Sequence, residues 1–294
     1  MVEALLNDGW AYHDTDGMRL AGELERAAEA PIAPKFLLAF LQLSNHTVGE
    51  HLSDWPRAKS LAERVLGGHT PTAETCPAWG RLYVARFLSG DLAGAAEAER
   101  IYLNTTRDAH AADGEMRLLL AGAMIGSKRL ADGARVYRDA LEFVRSHGSP
   151  GTMARGTAMV SNNIACDLLE LPTRTRDDDA LMELASRAAH EFWLRCGDWV
   201  NEELALTLSA RVAFALNEPL QALEQADAAL AVIGAHGRRP FDAAVLHLLR
   251  ARSFTALADS ESRERALVSA DLAASDISVE ELKVRFTNER RAIR

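Results

Sequence analysis

Two asparagines and two arginines lie in stretches that otherwise carry the apolar pattern of helices, where their side chains could bind another molecule. Asn162 and Asn163 are adjacent. Asparagine is a poor residue for a helix interior, but its amide both donates and accepts hydrogen bonds, so the pair can bind a peptide backbone. The alternative is that these amides bond a neighbouring loop or helix end inside the fold.

Arg211 and Arg252 each interrupt a further apolar stretch. A guanidinium group among apolar residues must find an anion or extend to water. If both face the same surface as Asn163, they form a cationic patch suited to a carboxylate, a phosphorylated side chain or an acidic peptide terminus. The alternative is an internal salt bridge to Glu202, Glu203 or another acid.

Patterns that carry catalysis or bind metals are missing from the sequence. The closest pair among nine scattered histidines, His46 and His51, is five residues apart. At about 100° per residue, that spacing separates the two side chains by about 140° around an α-helix. A metal needs at least two ligands on one face, so we predict no metal site and no cofactor. No phosphate-binding loop, nucleophile elbow or His-Glu-x-x-His motif occurs, and we expect the chain not to be an enzyme.

Two other conspicuous groups have structural interpretations. The acidic run Asp177–Asp179 precedes a predicted helix, whose dipole favours negative charge in its first turn. Trp10 with His13, and Trp193 with Trp199, could provide aromatic anchors for a partner. Aromatic residues at helical spacing mostly fill cores, and we assign these four to packing.

Composition and charge limit the classes of partner. Lys and Arg total 33 against 42 Asp and Glu, and the net charge of -9 repels phosphate backbones, so we predict no direct binding to nucleic acid. No apolar stretch is long enough to cross a bilayer and the N-terminus lacks a leader pattern, so we expect a cytoplasmic protein without membrane association. Three cysteines at wide, irregular spacing are interpreted as buried apolar side chains: Cys76, Cys166 and Cys196.

The elements that position these residues follow a repeat. A small residue recurs in similar segments at spacings of 37, 37 and 38, at Ala21, Ala58, Ala95 and Gly133. Similar segments return around Leu181, Ala222 and Ala266 at longer spacings. Helix breakers and caps such as Ser89-Gly90-Asp91 stand before several of them. Few aromatic residues (6%) and many small apolar ones favour close-packed helices over sheets, so the fold class is predicted to be all-α.

We predict seven antiparallel helical hairpins in one domain, 1–294, because no segment is long enough to be a domain linker. The hairpins are placed at about 1–30, 33–67, 72–105, 109–147, 152–196, 198–235 and 240–275, followed by a C-terminal capping helix over 278–293. Ser278 and Glu281 fit a capping box at the start of that helix. The repeat register is left open in hairpins two, six and seven.

The sequence resembles the tetratricopeptide repeat (TPR) family over nearly its whole length. The third hairpin carries most of the consensus positions, with Trp79, Leu82, Tyr83, Gly90, Asp91, Ala95 and Tyr102. The first hairpin is similar, with Asn7, Gly9, Trp10, Tyr12 and Ala21. The stretches 161–165 and 222–239 are more similar to the longer repeats of kinesin light chain or of the sensor arms of bacterial signal-transduction regulators. Hairpins two, six and seven depart from the family, because they lack the tryptophan at its consensus place and the Gly-Asp turn.

The resemblance implies a right-handed superhelix (α-solenoid) of stacked hairpins whose first helices line a concave groove. In peptide-binding members of the family, asparagines at positions matching Asn162 and Asn163 bind the peptide backbone. Members with a carboxylate clamp use Asn, Lys and Arg in this way, although the full set does not occur here.

We therefore predict a scaffold that binds a protein or peptide, including one with an acidic group, through Asn162, Asn163, Arg211 and Arg252. Two alternatives remain open: a regulatory sensor arm for a small molecule or signalling peptide, and an all-α enzyme. The sequence leaves the partner and the oligomeric state undetermined.

Overall fold

The computed structural model of the protein describes residues 2–147 and 151–293, apart from the side chain of Thr152. These residues form α-helices with short 3₁₀ and π segments, and none of them forms a β-strand. The prediction of an all-α class is therefore confirmed. Within the described ranges, no helix combines the length and the apolar character needed to cross a membrane.

The described residues form fifteen α-helices, which pack as consecutive pairs. Their bounds are α1 Val2–Asp8, α2 Gly17–Ala27, α3 Leu37–Ser44, α4 Trp55–Leu66, α5 Pro77–Leu88, α6 Leu92–Thr105, α7 Ala109–Gly126, α8 Leu130–Ser146, α9 Gly151–Leu169, α10 Arg176–Cys196, α11 Trp199–Ala215, α12 Pro219–His236, α13 Pro240–Ala256, α14 Ser260–Ala274 and α15 Glu280–Arg291. A π-helix, Asn45–His51, continues directly from α3. Each of the seven hairpin segments named above contains two α-helices to within one residue at the ends, and α15 follows them.

Contacts divide the chain into two compact units, Met1–Val160 and Ser161–Arg294. The boundary falls inside α9. In the first unit the tightest pairs are α5 with α6 and α7 with α8, and in the second they are α11 with α12 and α13 with α14. Each unit has its own buried apolar residues, and each is described separately below.

The core of the N-terminal unit is built from large aliphatic and aromatic side chains on helices that present one apolar stripe. Leu20, Leu24 and Phe40 are completely buried, and Trp79 is nearly so. Burying one such side chain stabilises the fold by about 1.5–3 kcal/mol. In the C-terminal unit, Phe192 on α10 is likewise completely buried.

The small residues of the repeat lie where helices approach closely. Ala21, Ala58 and Ala95 are buried, and so are the anchors of the C-terminal unit, Leu181, Ala222 and Ala266. At Gly133 on α8, an added Cβ would lie 2.6 Å from Cγ1 of Ile125 on α7 and 3.2 Å from the backbone oxygen of Ala121. The contact between α7 and α8 therefore requires a residue without a side chain at this position.

Helix caps follow the sequence signals at most starts. The carboxylates of Asp54, Asp91 and Asp259 each accept a hydrogen bond from a backbone amide in the following first turn. The capping box predicted for the last helix is wrong. That helix begins at Glu280 with Val279 as its N-cap, so Ser278 lies one residue too early to bond the free amides.

The close contact at Gly133 makes a stability prediction. Gly133→Ala should destabilise the protein by about 1–3 kcal/mol, because the new methyl group overlaps Ile125 and the backbone of α7. Gly22→Ala on α2 is the matched control, since nothing lies within 4 Å of its added Cβ. Alanine's higher helix propensity should make that variant more stable by about 0.5–1 kcal/mol.

Urea unfolding monitored by circular dichroism measures both changes. Equal stabilisation by the two substitutions would show that α7 and α8 do not pack at the distance described.

Candidate functional site

Asn162 and Asn163 lie on α9, just inside the C-terminal unit. Asn163 is exposed and Asn162 is partly buried. Asn162 Nδ2 lies 3.5 Å from Asn163 Oδ1 and 3.9 Å from Cys166 Sγ, and both are weak contacts. Within the described part of the chain, neither amide bonds a neighbouring loop or helix end, so both keep hydrogen-bonding capacity for a ligand.

Arg211 and Arg252 lie on α11 and α13, which contact each other. Neither guanidinium group makes a hydrogen bond or ion pair with any residue that the structure describes. The internal partner considered from the sequence, Glu203, is engaged elsewhere. It is completely buried, accepts a hydrogen bond from Thr207 at 2.9 Å, and has Arg239 Nε 3.1 Å from its other oxygen.

One partly buried thiol, that of Cys166, is near two of the predicted residues. Burial raises the pKa of Cys166, and the positive charge of Arg211 partly offsets that effect. Asn162 also lies against Cys166, so this thiol is near both polar residues. Arg252 lies on α13, the first helix of the next predicted hairpin.

Most of the other arginines that the structure describes in the C-terminal unit have partners. Arg174 Nε donates a hydrogen bond to Asp179 at 2.7 Å. Arg250 Nε lies 2.8 Å from Asp227 Oδ1, and its Nη1 donates to His247 Nδ1 at 3.1 Å. Arg211 and Arg252 therefore differ from these neighbours in carrying positive charge without a local counter-ion.

A cleft of about 280 Å³ opens between α10, α11 and α12. The hydroxyl groups of Ser186 and Ser209 meet on its wall at 3.0 Å, and Gln221 lies at its edge. Burial lowers the pKa of His190, which also lines the cleft, so this imidazole is neutral at pH 7. None of the four predicted site residues lines this cleft, and the sequence analysis did not single it out.

The acidic run at 177–179 has the structural role expected of it. Asp178 forms a capping box with Thr175 at the start of α10, and Asp179 binds Arg174. The aromatic residues of this unit also pack internally, since Trp193 is buried and Trp199 stacks on His236 with 5.6 Å between the ring centres.

The predicted separation of about 140° between the side chains of His46 and His51 is wrong, because these residues lie in a π-helix and not in an α-helix. With hydrogen bonds from i to i+5 and about 4.4 residues per turn, residues five apart are separated by about 50°. The Nε2 atoms of the two histidines are 3.1 Å apart. His13 reaches the same point from the turn before α2, so the N-terminal unit contains a cluster of three histidines that the sequence analysis missed.

No protein-family model matches the sequence, and no curated protein matches it either. A solved structure, the crystal structure of BtubC (BKLC) from P. vanneervenii, is similar to this chain with a TM-score of 0.48 and 17% sequence identity. The similarity covers 89% of this chain and 92% of that chain. Both values are too low to assign a fold family or a function, and the TPR resemblance remains a prediction.

The surroundings of His247 predict how the stability of the protein depends on pH. Burial, and then the charge of Arg250, lowers the pKa of His247 to about 4. Between the ordinary histidine pKa of 6.5 and about 4, the unfolded chain takes up a proton that the folded chain does not. Stability should therefore be lost as the pH falls through this window, and His247→Gln, which keeps an acceptor for Arg250, should reduce that loss.

Denaturant midpoints at about pH 7 and about pH 5 measure the difference. His236→Gln is the control, because this histidine is exposed in the same unit. An identical pH dependence in the wild type and in His247→Gln would contradict the assignment.

Proposed function

We propose that this protein is a helical-repeat scaffold, of the TPR-like superhelical kind that its sequence resembles, whose C-terminal unit binds a peptide segment with an acidic group. The observation that supports this function is the pair of arginines without counter-ions, Arg211 and Arg252, on two helices that contact each other. The proposal places the protein in the cytoplasm.

The surroundings of Arg211 provide apolar contact as well as charge. Leu204 lies seven residues earlier on α11, which places it on the same face two turns away, and its side chain is 41% exposed. A peptide that covered Leu204 would gain hydrophobic contact while its carboxylate bound the guanidinium group. The apolar area would supply most of the affinity, and the charged contact would set orientation and association rate.

Asn162 and Asn163 would bind the backbone of the same peptide. Their amides lie on α9, and Asn162 is close to Cys166. The positive charge of Arg211 lowers the pKa of that thiol, although burial raises it by more. An amide can bind a peptide C=O and N–H together, and this requires an amide whose atoms are not already bonded within the fold. The absence of strong internal partners for both side chains among the described residues is consistent with that role.

The cleft between α10, α11 and α12 supports a second candidate, a sensor that binds a small polar molecule. Its wall offers two hydroxyl groups and a neutral histidine, a combination that suits a hydrogen-bonding ligand. A ligand bound there would contact three helices at once and could change their packing. Thermal shift of the full chain against small polar metabolites separates this candidate from the first, which predicts no response to them.

The peptide-binding proposal predicts the effect of removing both free cations. Peptides selected from a random displayed library on the full chain should be enriched in Asp and Glu. Arg211→Ala with Arg252→Ala should weaken a selected peptide by about tenfold, or about 1.4 kcal/mol, at low salt and by less at high salt, because salt screens the lost attraction. Fluorescence anisotropy with a labelled peptide measures the dissociation constants.

Arg265→Ala on α14 is the matched control, since Arg265 is an exposed arginine of the same unit that pairs with Glu261 on its own helix. That control should bind like the wild type. Selected peptides without acidic enrichment, or equal affinities for the double variant and the control at both salt concentrations, would refute the assignment of Arg211 and Arg252.

A further inference from the structure

Three histidines converge on one point of the N-terminal unit, which contains none of the residues of the proposed function. His13 lies in the turn between the 3₁₀ segment Gly9–Ala11 and α2, while His46 and His51 lie on the π-helix. One ring nitrogen from each lies within 4.8 Å of those of the other two. Ring centres of the three pairs are separated by 5.0, 5.2 and 4.4 Å.

The π-helix is the reason that two ligands come from one short segment. Its wide turn brings His46 and His51 to the same side. The segment is held in place by its neighbours, because the Trp55 ring occupies the space where a side chain on Gly49 would lie, 2.5 Å from an added Cβ. Asn45, at the start of the π-helix, donates a hydrogen bond to the backbone oxygen of Arg81 on α5 at 2.9 Å.

The hydrogen bonds of the imidazole rings leave a defined set of lone pairs. His13 Nδ1 lies 2.8 Å from the backbone oxygen of Trp10, and His46 Nδ1 lies 2.6 Å from Glu50 Oε2. Each of these nitrogens must carry the proton, because its partner can only accept. In the neutral rings, the Nε2 atoms of His13 and His46 therefore carry lone pairs, and neutral imidazole is the form that binds a metal.

His51 completes the same pattern. Its Nδ1 lies 3.3 Å from Asp14 Oδ1, so placing the proton on Nδ1 leaves Nε2 as an acceptor that faces His46 Nε2 at 3.1 Å. In each ring, Nδ1 then faces an oxygen acceptor and Nε2 is the nitrogen left for the cluster. Metal-binding histidines characteristically bond a carboxylate or a backbone carbonyl through the nitrogen that does not bind the metal.

With these tautomers and without a cation, acceptor atoms face one another. His13 Nε2, which has no proton in the neutral ring, lies 3.2 Å from Asp14 Oδ1. Packing of aromatic rings around Trp10, whose centre lies 5.3 and 5.4 Å from those of His13 and His46, accounts for the ring stacking but not for the converging lone pairs. A positive ion at the centre would stabilise all of these atoms at once.

We propose that His13, His46 and His51 bind a divalent transition-metal ion, with Zn²⁺ as the best match. Tetrahedral zinc with Zn–N bonds of about 2.0–2.1 Å requires ligand nitrogens about 3.3 Å apart. His46 and His51 already meet this separation, and small rotations of the His13 ring bring in the third ligand. Three imidazoles exclude Mg²⁺ and Ca²⁺, which prefer oxygen ligands.

The fourth coordination position faces solvent. His51 and Asp14 are exposed, so an ion can enter from that side and either water or the Asp14 carboxylate can complete the tetrahedron. Bound metal would join the turn that carries His13 to the π-helix and so stabilise the N-terminal unit.

Isothermal titration of tag-free, full-length apo protein with ZnCl₂, and titration with CoCl₂ followed by visible absorption, test the site. The wild type should bind one Zn²⁺ per chain, give the intense visible bands of tetrahedral Co²⁺, and melt at a higher temperature with Zn²⁺ present. His51→Ala should lose the cobalt bands and weaken Zn²⁺ binding by at least about tenfold. His51 is the first ligand to change because its exposed side chain contributes least to folding.

Two further variants keep the test informative. Glu50→Gln should still bind Zn²⁺ but about 10–100-fold more weakly, because it removes only the charge that orients His46. His69→Ala, which changes a histidine of the same unit outside the cluster, should bind like the wild type. Absence of saturable Zn²⁺ binding to the wild type, or an equal loss on His69→Ala and His51→Ala, would overturn the proposal.

Discussion

The structure depends on the inability of a single helical hairpin to bury its own apolar stripe. Each pair of helices must pack against the next, and helix axes approach closely only where small residues stand at the contact. Ala21 and Ala58 are completely buried, while Gly133 lies so close to Ile125 that a methyl group does not fit. Gly80 has the same role on α5, where an added Cβ would lie 3.0 Å from the ring of Tyr102 on α6. The small residues recur in the sequence at the positions where these helices contact each other.

Close packing also determines where polar groups are tolerated. Most arginines of the C-terminal unit have acidic partners near them, because an unpaired charge against an apolar surface is costly. Glu203 shows that cost: burial raises the pKa of its carboxyl even with Arg239 nearby. In the proposed function, a bound molecule that supplies a carboxylate is the counter-ion of Arg211 and Arg252.

The histidine cluster arises from a local departure from α-helical geometry. Several polar side chains at the start of the π-helix, or directly before it, lie in the interior, among them Ser44, Asn45 and Thr47, and their buried oxygen atoms have no hydrogen-bond partners in the described part of the chain. Such a segment is less stable than an α-helix of the same length, and its persistence requires support from the Trp55 ring and from α5. The wide turn brings the imidazoles of His46 and His51 together, whereas α-helical spacing would direct them apart.

By itself, the sequence determined the helical class and several of the caps, because hydrophobic periodicity and capping residues act over a few neighbouring positions. It also singled out Asn162, Asn163, Arg211 and Arg252, since a polar residue inside an apolar stretch is visible without coordinates. Only the tertiary structure decided that Glu203 binds Arg239 and not Arg211, because that choice depends on which helices meet. It alone brought His13 to His46 and His51, because the π-helix and the turn before α2 are held by contacts between residues far apart in the chain, which no local pattern records.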